Sequence, residues 1–311
     1  MRHFLRDDDL SPDEQAEVLA LAARLKADRF AERPLEGPKT AIVVFDKTSS
    51  RTRISFEAGV AELGGNPIII TPGQSQLGVK ETIADTSRVF SRMSELIVWR
   101  TFRHDGIEEM AKYATVPVIN GLSDDFHPCQ ILADLQTIQE YKGKLTGLTV
   151  AYVGDAANNM GQSYVLGFAN AGIHVRVAGP DGFLPRADIV EDATRIAETT
   201  GGSVTVLTDP VEAVTGADVV ITDTWVSMGQ EKEKKQRIQL FGEYRVTEEL
   251  MSHAKPDAIF MHCLPAYREY EVAPEVIDGP RSAVWDEAEN RLHAQKALMV
   301  FLLKKRRRRC K

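Results

Sequence analysis

Short apolar runs rich in β-branched residues alternate with longer stretches of helical periodicity along most of the chain. In the first half the apolar runs occupy residues 41–45, 67–71, 96–99 and 117–120. In the second half they occupy residues 148–153, 174–178, 203–207, 218–222 and 258–262. This alternation predicts an α/β fold in which helices connect parallel strands.

The first and last helices have separate signals. Ser11 and Glu14 form a capping box around Pro12, so we expect a helix that begins at residue 12. Apolar positions between residues 18 and 25 follow at helical spacing. The last predicted helix runs from residue 287 to about residue 303, and we expect it to return to the first domain.

The length of the chain predicts two domains. A chain of 311 residues exceeds one ordinary core and suits two domains of roughly 150 residues each. The polar segment 142–147 marks a hinge. We therefore predict a first domain of residues 1–142 plus 287–311 and a second of residues 147–286. Each should have a central parallel sheet flanked by helices.

The composition limits the class of protein and its compartment. Hydrophobic residues make up 43% and charged residues 27%, which is typical of a globular protein. The cysteines, Cys129, Cys263 and Cys310, are odd in number and far apart, which favours a reducing, cytoplasmic setting. No window approaches the ~18 apolar residues of a membrane span, and the first ten residues lack the apolar segment of a secretory signal.

The net charge of −7 gives no general reason to expect nucleic-acid binding, so a site for an anion must be built locally. The basic tail, residues 304–311, is the exception. It has two interpretations, a solvated terminus that frays or a segment that docks on nucleic acid or anionic lipid. We favour the first.

An anion site is predicted where the first strand ends and a helix begins. The hydroxyls of Ser49, Ser50 and Thr52 add donors to a helix N-terminus, and Arg51 can chelate two phosphate oxygens. Taken alone, the same residues also fit a plain N-cap with solvated arginines.

A second loop that enters a helix, residues 124–130, repeats this construction. His127 and Gln130 lie three residues apart on one face of the first turn, where both could hydrogen-bond a carbonyl oxygen without adding charge. A capping histidine and a surface glutamine are the alternative. Arg100 follows a strand, and ligands of parallel sheets bind at the carboxyl ends of strands.

The second half offers a site for an amine. Residues 153–160 lack G-x-G-x-x-G, with Ala156 at the second glycine position, so no nicotinamide cofactor is expected. Asparagines that open the next helix suit a small carboxylate. Asp223, at a strand end, suits an ammonium group or is a loop N-cap. Cys263 follows another strand and either lies beside a reacting nitrogen or is an inert buried thiol.

Together these segments resemble the ornithine carbamoyltransferase family over essentially the whole chain. The resemblance implies that carbamoyl phosphate is bound by Ser49, Ser50, Arg51, Thr52, Gln76, Arg100, His127, Gln130, Cys263, Leu264 and Arg291. It implies that ornithine is bound by Asn159, Asp223, Ser227 and Met228. The catalytic residues would be Arg100, His127, Asp223 and Cys263.

The resemblance also carries expectations about domains and partners. The first domain would bind carbamoyl phosphate and the second ornithine, with neither cofactor nor metal. Gln76 would reach the site of a neighbouring subunit in a homotrimer or a multiple of trimers. Ser50 replaces a family threonine and keeps the hydroxyl, and Tyr267 departs from the family pattern. The alternatives are a carbamoyltransferase for another amine, such as putrescine, and a non-catalytic phosphate-binding relative.

Overall fold

The computed structural model describes residues 2–74, 77, 80–226 and 231–309. The chain divides into two compact units, Met1–Gln136 with Glu289–Lys311, and Thr137–Ala288. The division falls inside a helix that ends at Lys142, just before the predicted hinge. In the described part of the chain, no helix combines the length and apolar character needed to span a membrane.

The described part of the first unit contains a parallel sheet with the strand order β2-β1-β3-β4. Its strands are β1 Thr40–Phe45, β2 Asn66–Ile70, β3 Leu96–Arg100 and β4 Val118–Leu122. Its helices are α1 Pro12–Ala27, α2 Ser50–Glu62, α3 Ile83–Met93 and α4 His104–Tyr113, with a 3-10 turn at Asp7–Asp9. Two further helices, α5 Pro128–Lys142 and α12 Val284–Arg309, carry the chain between the units.

Strand β1 shows how this sheet is buried on both faces. Ala41, Val43 and Phe45 belong to one apolar cluster, whereas Ile42 and Val44 belong to another. Successive side chains of a strand point to opposite faces, so both faces of β1 are covered. A strand covered on both sides requires such an uninterrupted apolar run, which is why β1 was recognisable in the sequence.

The described part of the second unit contains a parallel sheet with the order β7-β6-β5-β8-β9. Its strands are β5 Thr149–Val153, β6 His174–Ala178, β7 Ser203–Leu207, β8 Val219–Thr222 and β9 Ile259–His262. Its helices are α6 Asn159–Asn170, α7 Ala187–Thr200, α8 Pro210–Val214, α9 Lys234–Leu240, α10 Glu248–Ser252 and α11 Pro274–Ile277, with 3-10 turns at Glu231–Glu233 and Gly242–Tyr244. The predicted α/β class and every predicted strand are confirmed.

The first and last helices differ in how well the sequence located them. Helix α1 begins at Pro12 as predicted, and the Ser11 hydroxyl accepts a hydrogen bond from the Glu14 amide at 3.3 Å. Helix α12 begins at Val284 rather than at residue 287, and it ends at Arg309 rather than near residue 303. The predicted return of this helix to the first unit is confirmed, because Glu289 and all later residues belong to that unit.

The favoured interpretation of the basic tail as a frayed terminus is wrong for residues 304–306, which are helical and ion-paired. The Nζ atom of Lys304 lies 2.7 Å from a carboxylate oxygen of Glu32. The guanidinium of Arg306 lies 2.7 Å from a carboxylate oxygen of Glu95. Acidic partners far away in the sequence therefore hold the start of the tail to its own unit.

Acid should weaken the fold through histidines buried in neutral form. Burial lowers the pKa of His3 to about 4, and the His3 Nδ1 atom accepts a hydrogen bond from the Val118 amide at 3.1 Å. Below pH 6.5 the unfolded chain takes up a proton at this histidine that the folded chain does not, so the free energy of unfolding falls between pH 6.5 and about 4. We expect His3→Asn, which keeps an acceptor but cannot titrate, to remove about 1–2 kcal/mol of this loss after allowance for partial exposure. Denaturant titrations of both proteins across this pH range check it, and equal slopes against pH would contradict it.

Candidate active site

The N-terminus of α2 forms the anion-binding end of the first unit. Ser49 is the N-cap: its hydroxyl accepts from the Thr52 amide at 3.3 Å and donates to the Thr52 hydroxyl at 3.1 Å. Ser50 and Arg51 lie in the first helical turn, where the backbone N–H groups and the helix dipole favour an anion. The N-cap interpretation is therefore correct, and it is compatible with the anion site.

Arginines from distant parts of the chain converge on this turn. The Thr52 hydroxyl accepts hydrogen bonds from Arg100 at 3.4 Å and from Arg291 at 3.2 Å. Arg100 is the last residue of β3 and Arg291 belongs to α12, and both are buried. Together with Arg51 they form a set that we call the arginine cluster. An oxyanion with several oxygen atoms matches these planar donors.

His127 lies against the arginine cluster and is kept neutral. Burial, followed by the charges of Arg291, Arg100 and Arg51, lowers the pKa of His127 well below its usual value. A neutral imidazole can donate one hydrogen bond to a carbonyl oxygen. Because it carries no charge, it does not compete with the arginine cluster for a phosphate group.

Gln130 is buried, so the alternative of a surface glutamine is wrong. Its side-chain oxygen accepts from Arg291 at 2.6 Å, and its side-chain nitrogen donates to Asp134 at 2.8 Å. These two contacts fix the orientation of the amide. Gln130 is thus held in the first turn of α5, beside the arginine cluster.

The loops that carry these side chains are tied together. Lys47 forms an ion pair with Asp124, and its Nζ atom lies 4.4 Å from the centre of the Phe102 ring. The Trp99 indole donates to the Asp46 carboxylate at 2.9 Å. These contacts join the segments that follow β1, β3 and β4. Three strand ends therefore present one set of side chains, at the edge where a parallel sheet binds ligands.

In the second unit a carboxylate and a thiol meet at the ends of β8 and β9. The Cys263 thiol donates to the Asp223 carboxylate at 3.2 Å, and the Asn158 amide donates to the other oxygen at 3.4 Å. Burial raises the pKa of Asp223. The Asp223 carboxylate also accepts from the Thr224 amide at 2.7 Å, so the loop N-cap alternative describes one of its contacts. Cys263 is only half-buried, unlike the fully buried Cys129, whose pKa burial raises to about 12.

The segment after β9 is held in one conformation by His262. Its Nδ1 atom accepts from the Leu264 amide at 2.8 Å, so Nε2 carries the proton and faces Glu271 at 3.3 Å. Leu264 has a φ of 56°, a left-handed conformation that is uncommon for a residue with a side chain. The carbonyl groups of Cys263 and Leu264 are thereby fixed in direction.

The donor atoms of Asp223, His262 and Cys263 lie within 4.8 Å of one another, a spacing that could hold a metal ion. Both ring nitrogens of His262 already have partners inside the fold. A metal could gain this histidine only if one of these hydrogen bonds broke, so we assign no metal to this group.

A buried ion pair that the sequence analysis missed connects two loops of the second unit. Arg237, on α9, pairs with Asp155 and donates to the Trp225 carbonyl at 2.5 Å. Asp155 lies in the loop before Asn158, and Trp225 lies two residues after Asp223. Asn158 was also missed as a contact of Asp223, although its position before a helix was visible. The predicted Asn159 is the first residue of α6.

The predicted residues group as follows. In the first unit the structure brings together Ser49, Ser50, Arg51, Thr52, Arg100, His127, Gln130 and Arg291. In the second it brings Cys263, followed in the chain by Leu264, to Asp223, and Asn159 is the neighbour in the chain of Asn158, which contacts Asp223. Gln76, Ser227 and Met228 lie outside the described residues.

Two family profiles cover nearly the whole chain. One, described as the carbamoyl-P binding domain of aspartate/ornithine carbamoyltransferase, matches residues 2–140. The other, described as the Asp/Orn binding domain of the same enzymes, matches residues 146–302. The chain belongs to the aspartate/ornithine carbamoyltransferase family. Arg291 falls within the second profile, although the structure places it in the first unit.

Individual carbamoyltransferases are similar over their full length. The ornithine carbamoyltransferase of Clavibacter sepedonicus is 66% identical over 303 residues, which are 97% of this chain and 99% of the relative. The solved ornithine carbamoyltransferase from Pyrococcus furiosus has a TM-score of 0.94 at 47% identity and covers 97% of each chain. The anabolic ornithine carbamoyltransferase from Campylobacter jejuni has a TM-score of 0.92 at 39% identity and covers 98% of this chain and 100% of its own.

Proposed function

We propose that this protein is an ornithine carbamoyltransferase, which transfers the carbamoyl group of carbamoyl phosphate to the side-chain amine of ornithine and releases phosphate. The observation that carries the proposal is the arginine cluster around a neutral His127 at the N-terminus of α2. Such a site combines strong donors for a phosphate with an uncharged donor for a carbonyl oxygen. The full-length similarity to ornithine carbamoyltransferases supports it.

The donor substrate would be held mainly by the first unit. Its phosphate would bind to Ser49, Ser50, Arg51, Thr52 and Arg100 at the start of α2. Its carbonyl oxygen would accept from Arg100, His127 and Thr52, and Gln130, Cys263, Leu264 and Arg291 would complete the set of contacts. The carbonyl groups of Cys263 and Leu264 would accept from the carbamoyl NH2 group.

The acceptor must lose a proton before it attacks. The side-chain amine of ornithine resembles that of lysine, with a pKa near ~10.4, so exposing the free amine at pH 7 costs about 4–5 kcal/mol. Asp223 and Cys263 would orient this nitrogen and help remove the proton. The nitrogen then bonds to the carbamoyl carbon, and the tetrahedral centre collapses with cleavage of the bond to the phosphate oxygen. The leaving phosphate takes up the proton that the attacking nitrogen loses as the neutral ureido product forms.

Stabilisation of the developing oxyanion would supply much of the rate. Arg100, His127 and Thr52 are the proposed donors, and removal of one such donor typically costs ~3–4 kcal/mol. Because the amine attacks directly, the reaction needs neither a covalent enzyme intermediate nor a cofactor.

Further assignments rest on the sequence and on the family resemblance. Asn159, Ser227 and Met228 would bind the α-carboxylate and α-amine end of ornithine. Gln76 would enter the site of a neighbouring subunit, so the active assembly would be a homotrimer or a multiple of trimers. The protein would act in the cytoplasm, in arginine metabolism.

A panel of acceptors tests the proposal. Formation of ureido product would be measured with ornithine, putrescine, aspartate and N-acetylornithine in parallel. Asp223 suits a cationic amine, whereas aspartate would need cations facing a second carboxylate, so we expect ornithine to give by far the highest kcat/KM. A preference for putrescine would show that the carboxylate contacts are absent. No product with any acceptor would favour a non-catalytic phosphate-binding relative.

A further inference from the structure

Gln295 is a buried polar residue of α12 for which the reaction as described has no role. It lies four residues after Arg291, on the same face of the helix, and it is fully buried. Its amide has one orientation in which both side-chain atoms find partners. In that orientation the oxygen accepts from Arg291 Nη2 at 3.0 Å and from Nε at 3.2 Å.

The nitrogen of the same amide faces α2. It donates to the Ser55 hydroxyl at 2.7 Å, and that hydroxyl donates to the Thr52 carbonyl at 3.2 Å. Gln295 therefore reaches Thr52 by two routes, through the guanidinium of Arg291 and through Ser55. All of these groups belong to the first unit.

We propose that Gln295 is a positioning residue that fixes the guanidinium plane of Arg291 for carbamoyl phosphate. The proposal rests on the function proposed above and adds a residue to it. Arg291 has a long, flexible side chain, and it is held by Gln130 at Nη1, by Thr52 at Nη2 and by Gln295 at Nη2 and Nε. Support of this kind, from residues that do not touch the ligand, sets the precision of a binding site.

The chemical type of Gln295 matters as much as its position. An amide oxygen orients a guanidinium without adding a formal charge, so the positive charge of Arg291 stays available to an anionic substrate. A carboxylate in the same place would also orient Arg291 but would offset its charge. The Asp155–Arg237 pair of the second unit shows that alternative, in which the carboxylate neutralises the arginine and the pair connects loops.

Two substitutions separate orientation from charge. Gln295→Met keeps the length of the side chain and removes its hydrogen bonds, and we expect the KM for carbamoyl phosphate to rise about tenfold with the KM for ornithine unchanged. Gln295→Glu keeps an acceptor for Arg291 and adds a charge, and we expect a larger rise that diminishes as the pH is lowered and the new carboxyl is protonated. A merely structural residue would not shift the two KM values separately or add this pH dependence.

Gln162→Met is the matched control. Gln162 is a buried glutamine of α6 that hydrogen-bonds the backbone at Ala157 and Arg186 in the second unit. Its loss should leave the KM for carbamoyl phosphate unchanged, and thermal melting would verify that every variant is folded. An unchanged KM for carbamoyl phosphate in folded Gln295→Met and Gln295→Glu proteins would overturn the inference. Failure of the parent protein to make any ureido product would instead overturn the proposed function.

Discussion

Replacement of Asp223 by asparagine is expected to lower kcat for carbamoylation of ornithine by about 10³-fold while leaving the protein at least as stable as the parent. The activity falls because the neutral amide can neither attract the ammonium group nor help remove its proton. The hydrogen bond from the Thr224 amide to this side chain, 2.7 Å in the parent, can persist.

The stability prediction follows from the raised pKa of Asp223. Between the unfolded and folded pKa values, the folded chain holds a proton that the unfolded chain has released, so the free energy of unfolding falls as pH rises through this window. Above the unfolded pKa this cost is present, and asparagine, which does not titrate, removes it. Steady-state kinetics and urea unfolding at pH 7.5 measure both effects.

Asp218→Asn is the matched control for this variant. Asp218 is also buried and lies immediately before β8, whereas Asp223 lies immediately after it. It accepts from the Thr149 amide at 2.8 Å and pairs with Lys255, partners that Asp223 does not share. The control should keep its turnover. Equal losses of activity in the two variants would show that Asp223 has no special part in the reaction.

Arg51→Ala is expected to lower kcat/KM for carbamoyl phosphate by about 10³-fold or more without loss of the fold. The side chain is partly exposed at the start of α2, so little packing is lost. Its charge, together with the N-terminus of the helix, would bind the phosphate in both the ground state and the transition state. Kinetics with varied concentrations of carbamoyl phosphate measure the change in kcat/KM. Far-ultraviolet circular dichroism measures whether the fold is retained.

The control for this prediction lies two residues further along. Arg53 is exposed and pairs with Glu57, one helical turn away, at 3.2 Å. Arg53→Ala removes the same charge from the same helix but should change kcat/KM less than about twofold, because exposed pairs of this kind contribute little. Activity near the parent value in Arg51→Ala would contradict the assignment of the phosphate site.

Features of the fold that depend on local patterns could be predicted from the sequence. Buried strands such as β1 were visible because a sheet covered on both faces needs unbroken apolar runs, and Ser11 and Pro12 marked a helix start through local capping chemistry. The C-terminal end of α12 was misplaced because the partners that hold the tail, such as Glu32 and Glu95, lie more than 200 residues away in the sequence.

The candidate site shows the same limit. Ser49, Arg51 and Asp223 stand at strand or helix ends, where their chemistry could be inferred from position. Gln295 and Arg237 could not be found in this way, because each acts through partners brought close only by the tertiary fold. Burial of a polar side chain is the signal that finds such residues, and burial is a property of the structure.

The transfer of the carbamoyl group from carbamoyl phosphate to the side-chain nitrogen of ornithine is the central claim, and isotopic labelling tests it most directly. The purified protein would be given carbamoyl phosphate labelled with ¹³C at the carbonyl and ornithine labelled with ¹⁵N only at the side-chain amine. We predict a ureido product whose ¹³C resonance is split by one-bond coupling to ¹⁵N, formed in equal amount with inorganic phosphate. A product without that coupling, or phosphate released without product, would contradict the account.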